Sequence, residues 1–96
     1  MFVLVVKFRA IKGKEEELIE LLEKARQKVH EEEENTLIYD LHRKIGDSAE
    51  ILLYERYQEK KDWELTHMSK PYIKELLAEL PNYIEGNETF EEYELV

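Results

Sequence analysis

Hydrophobic and polar positions alternate from the start of the chain. Phe2, Leu4, Val6 and Phe8 fall on one side of an extended segment and Val3, Val5, Lys7 and Arg9 on the other, which predicts a strand over 2–10. After the punctuation "KGK" at Lys12–Lys14 the period changes. Leu18, Leu21, Leu22, Ala25 and Val29 recur at helical spacing. Glu15–Glu17 suit the positive N-terminal end of that helix, whereas Glu31–Glu34 oppose its C-terminal end and predict fraying there. "TLIYDLHRK" (Thr36–Lys44) and "EILLYERY" (Glu50–Tyr57) return to period two, and Ile45–Ser48 between them carries the Gly and Asp of a hairpin turn. A helix is expected from about Lys60, with a break at Ser69–Pro71. Ser69 is the expected N-cap of a further helix, whose apolar stripe is Ile73, Leu76, Leu77 and Leu80, and Pro81 stops it. Glu88–Val96 reads as a last strand, with Phe90 and Tyr93 out of phase as at a bulge.

The order is β-α-β-β-α-β, the α+β ferredoxin-like pattern in which two helices cover one face of an antiparallel sheet. A monomer would then need a polar opposite face. The first strand is apolar on both sides over Phe2–Val6, and the third carries Leu52 and Tyr54 on one side, Ile51, Leu53 and Tyr57 on the other. Leaving such side chains wet forfeits ~1.5–3 kcal/mol each. A homodimer joined through the bare sheet faces is therefore expected, with two-fold symmetry.

Composition narrows the partners. The 96 residues suit one domain, 1–96, and carry a formal net charge of −9 with no basic run, which argues against nucleic acid and anionic membranes. There is no Cys, so disulfides and thiolate chemistry are absent. No apolar run is long enough to span a bilayer, the N-terminus lacks the parts of a signal peptide, and a cytoplasmic location is expected. Charged residues at 39%, mostly Glu and Lys, hint at a thermophilic source.

Candidate chemistry gathers in "YERYQEKKDWELTHMSKPY" (Tyr54–Tyr72). Trp63, the sole Trp, and His67 are four residues apart on one helical face, just before the break and just before Tyr72. The pair reads as core packing or as the wall of a pocket for an aromatic ligand. On the hairpin, a turn centred on Asp47–Ser48 would set Asp40 near Glu55 and His42 beside Leu53. Two carboxylates and an imidazole would then shift one another's pKa, unless they form a solvated charge cluster on the outer face. His30 lies in a Glu-rich helix end and should be exposed. Metal-ligand spacing is missing, as are a Gly-rich phosphate loop and a nucleophile elbow around Ser48 or Ser69, so no metal and no cofactor are expected.

"NTLIYDLHR", "EILLYERYQEKKDWELTH" and "SKPY" together resemble the antibiotic biosynthesis monooxygenase domains, small proteins like the quinol monooxygenases. The match is good over Asn35–Tyr72, and the flanking strand–helix order fits. The resemblance implies a dimeric α/β barrel with a pocket between sheet and helices in each subunit, and oxidation of phenolic or quinol compounds by O₂ without metal or flavin. By position it implies His67 and Glu55 as catalytic residues. Tyr39, Trp63 and Tyr72, with Asp40 and His42 from the hairpin, are the expected substrate-binding residues. Tyr72 stands where many relatives carry His after the Pro, which argues against isomerase-like acid–base chemistry. The first strand has Lys7 rather than an Asn at its middle, which argues against haem degradation. Two further readings stay open: a dimer that binds a small aromatic ligand without turnover, and an interaction module with a vestigial pocket.

Overall fold

The computed structural model describes residues 1–96. Strands β1 (Phe2–Arg9), β2 (Thr36–Lys44), β3 (Asp47–Tyr57) and β4 (Thr89–Glu94) form one antiparallel sheet in the order β2-β3-β1-β4. Helices α1 (Glu15–Glu32) and α2 (Pro71–Glu79) lie on one face, which makes the fold ferredoxin-like α+β. The alternation of β1 decides which side chains meet them. Leu4, Val6 and Phe8 enter the core with Ile51 and Leu53 of β3, Leu18, Leu22, Ala25 and Val29 of α1, and Ile73, Leu76 and Leu80 of the α2 region.

Two local expectations are corrected. The hairpin turns at Ile45–Gly46, where Gly46 takes φ +87° and supplies the left-handed conformation that other residues avoid. The step from Arg43 to Lys44 on β2 then matches four positions on β3, from Ile51 to Asp47, so β3 bulges beside the turn. The resulting register pairs Tyr39 with Glu55, Asp40 with Tyr54 and His42 with Leu52. It is one residue from the expected pairing, and one residue decides the face. In β4 there is no bulge. Phe90 pairs with Val6 on the helix side and Tyr93 with Val3 on the bare side, which is why the two are out of phase.

The second helical region is not one broken α-helix. A π-helical turn (Asp62–Thr66) runs into a 3₁₀ turn (His67–Ser69), and α2 follows with Pro71 at its first position. The cap of α2 is Lys70, in extended conformation. Ser69 instead donates its hydroxyl back to the Thr66 carbonyl, 2.7 Å away. Asp62 anchors the π turn by accepting from the Glu59 amide (3.0 Å) and from Asn35 Nδ2 (3.2 Å). That second bond ties the turn to the α1–β2 connection and brings His67 beside the end of α1.

Candidate functional site

Three elements converge on His67. The π turn delivers it: its backbone N–H bonds the carbonyls of both Asp62 and Trp63, and its side chain is only 3% exposed. Turns of this kind recur at functional sites because the wider winding re-aims one side chain. From the end of α1 comes Glu33, and from β3 comes Glu55, buried at 7% and 3% exposure. Glu33 places its two carboxylate oxygens 2.8 and 3.0 Å from His67 Nδ1. A carboxylate only accepts, so Nδ1 carries a proton and donates, and in the neutral ring Nε2 is the nitrogen without one. Nε2 lies 3.9 Å from Glu55 Oε1, too far for a hydrogen bond but close enough for charge on one to act on the other.

Tyrosines surround this core. Tyr72 donates to Glu33 Oε2 at 2.5 Å, Thr36 donates to Glu33 Oε1 at 2.7 Å, and Tyr57 donates to Glu55. The rings of Tyr39 and Tyr57 sit 5.4 and 5.6 Å from the imidazole, both inclined to it. Burial, reinforced by the neighbouring carboxylates, pushes all three phenols above their ordinary pKa, so they remain neutral.

The two carboxyls part company. Burial alone would raise Glu33, but the hydrogen bonds from His67, Tyr72 and Thr36 and the attraction of His67 outweigh it and hold the group below its ordinary value. For Glu55, burial wins: its pKa is raised to about 7, with repulsion from Glu33 adding to burial and His67 and Tyr57 opposing it. Two glutamates on one imidazole thus have separate roles, Glu33 a fixed anion and Glu55 a group that titrates near neutrality.

Beside His67 and Glu55 lies a cavity of about 30 Å³. Twelve of its 15 lining residues are hydrophobic, among them Leu4, Val6, Phe8, Leu53, Trp63, Met68 and Phe90. Trp63 is both things its spacing allowed: it stacks on Phe2 with ring centroids 5.5 Å apart, and it lines the cavity. The volume is far below the ~300–1,000 Å³ of a typical ligand pocket. An aromatic molecule enters only if the side chains around the cavity yield.

His67, Glu55, Tyr39 and Trp63 therefore meet at one cavity, and Tyr72 reaches the same network through Glu33. Asp40 and His42 do not. The register turns Asp40 away from the cavity, and Arg26 of α1 reaches round the edge strand β2 to pair with it at 3.4 Å, while His42 is exposed opposite Leu52. Glu33 and Tyr57 were missed. The Glu run predicted a frayed end to α1, yet Glu33 is its cap, with an extended backbone that swings the side chain inward. Only the excess of acid at a helix C-terminus hinted that one of these glutamates has another partner. No three or more His, Asp or Glu side chains converge as metal ligands, since the imidazole separates the two carboxylates.

The family model for antibiotic biosynthesis monooxygenases matches residues 1–79 of this fold. The chain belongs to the antibiotic biosynthesis monooxygenase family. Solved structures agree on the fold of such monooxygenase domains. A Caulobacter crescentus protein assigned as an antibiotic biosynthesis monooxygenase superposes with a TM-score of 0.92 at 20% identity, covering 99% of this chain and 89% of that one. A Nitrosomonas europaea protein with the same assignment gives 0.90 at 18%, covering 100% and 99%. Rv0793 from Mycobacterium tuberculosis gives 0.89 at 18%, covering 99% and 94%. No curated protein matches the chain.

Proposed function

We propose that the protein is a cofactor-independent monooxygenase that inserts one atom of O₂ into a small electron-rich phenol or quinol. The observation that carries this reading is the His67 imidazole, clamped at Nδ1 by Glu33 with Nε2 free beside Glu55 and an apolar cavity. His67 Nε2 removes the proton of the phenol or of the C–H of its keto tautomer. The imidazolium that forms is stabilised by the Glu33 anion. The substrate anion passes one electron to O₂, and the radical pair closes as a peroxide on carbon. Loss of the remaining C–H proton and cleavage of the O–O bond leave a carbonyl and one water, so CH₂ plus O₂ gives C=O plus H₂O. Glu55, which titrates near neutrality, returns a proton to the departing hydroxide. Trp63, Tyr39 and the aliphatic wall hold the ring.

The active form is a homodimer joined through the bare sheet face. What supports this is the apolar surface left there: Ile38, Val5, Leu52 and Tyr54 are only half-buried, and β4 is exposed throughout, Tyr93 at 52%. Oxygen consumption with a panel of hydroquinones tests the activity. Turnover is expected, and His67→Ala should lower it by about 10²-fold or more. Unchanged turnover in the folded variant removes His67 from the catalytic role. A ligand-induced rise in melting temperature with no oxygen uptake would make the protein a binder instead.

A further inference from the structure

The cavity carries charge information that the quinol reading does not use. Its polar lining consists of Glu55, His67, Tyr39 and Glu88, and it contains no Lys, Arg, Asn, Ser or Thr. The two carboxyl groups bracket it along β1. Glu55 pairs with Leu4 at one end, and Glu88 lies just beyond the β1–β4 ladder, at the Phe8 end. Leu4 and Phe8 are about 13 Å apart at the rise of a strand. Between them the wall is aliphatic and aromatic. Lys60, which reaches β4, is engaged by Glu64 at 3.2 Å and Glu92 at 2.8 Å.

We infer that this site selects uncharged phenols. The substrate is a phenol with one hydroxyl at the His67–Glu55 end, an otherwise apolar body, and no carboxylate, sulfonate or phosphate. An anionic group would be desolvated with no positive partner and would face at least one carboxylate of the same sign. The imidazole cannot compensate, because protonation makes it the counter-ion of the substrate oxygen itself. The inference rests on the quinol reading of the cavity and adds a charge rule to it.

Trp63 is the only Trp and lines the cavity, so its fluorescence reports occupancy. Under argon, where no turnover occurs, the probes are methyl 2,5-dihydroxybenzoate and 2,5-dihydroxybenzoate, an ester and its acid that differ mainly in charge. The ester should bind at least about tenfold more tightly at pH 7.5, as expected for a like charge within several ångströms at a partly buried site. Glu88→Gln should narrow the gap, and Glu88→Lys should close or invert it. An acid that binds as tightly as its ester overturns the inference. Absence of binding by either compound overturns it together with the quinol reading. Discrimination against the acid, with no oxygen uptake in air, keeps the charge rule and removes the oxygenase step.

Discussion

Replacing Glu55 by Gln should make the protein more stable at pH 8 and leave it nearly unchanged at pH 4. Gln keeps the shape and an acceptor for the Tyr57 hydroxyl, but it cannot ionise. In the native protein the carboxyl has its pKa raised from 4.5 to about 7, mainly by burial. The folded value lies above the unfolded one. Between these limits the unfolded chain has released a proton that the folded chain still holds, so stability falls as pH rises from about 4.5 and levels off above about 7. A shift of that size is worth about 3 kcal/mol at the alkaline plateau, a large share of the ~5–15 kcal/mol that holds a small domain together. Urea unfolding of wild type and variant at pH 4 and pH 8 measures it. The difference between the two proteins should open with pH. Equal midpoints at both pH values would refute the reasoning, because the carboxyl would then lose little on leaving water. A group kept at such a cost is a sign of function rather than of packing.

Four other outcomes are expected. Glu33 has the opposite sign to Glu55: its folded pKa is depressed below 4.5, so its contribution is present above that pH and is lost on acidification. Glu33→Gln should therefore flatten the acid limb of the stability profile. It should also let His67 populate both neutral tautomers, which nitrogen-15 NMR of the imidazole reads directly, whether or not substrate turns over. Leu22→Ala, at a position 1% exposed between α1 and the sheet, should cost about 2–5 kcal/mol in urea unfolding. Sedimentation at micromolar concentration should find twice 11.6 kDa, and a folded species of 11.6 kDa would end the dimer proposal.

Much of the architecture was legible because periodicity reports burial directly. Leu4, Val6 and Phe8 alternate, and Leu18, Leu22, Ala25 and Val29 recur by threes and fours. Each set lands in the core that its period requires. The placement of the candidate residues was legible where a residue's own element fixed its direction, as with Trp63, His67 and the inward-facing Glu55. It was illegible where direction depended on another segment. The turn could be located only to within a residue or two, and the compensating bulge in β3 left no compositional trace, so Asp40 was assigned to the wrong side and the Tyr39–Glu55 pairing was not anticipated. Glu33 was hidden for a different reason. It sits within an acidic run, and only a donor set drawn from Thr36, His67 and Tyr72 distinguishes it from Glu31, Glu32 and Glu34.

The fate of the two oxygen atoms of O₂ tests the oxygenase reaction most directly. Protein dialysed against chelator should convert anthrone under ¹⁸O₂ to anthraquinone that carries one labelled oxygen, the second label leaving as water, and His67→Ala should abolish this above the background rate. Conversion no faster than in buffer, or a product whose new oxygen comes from solvent, would contradict it.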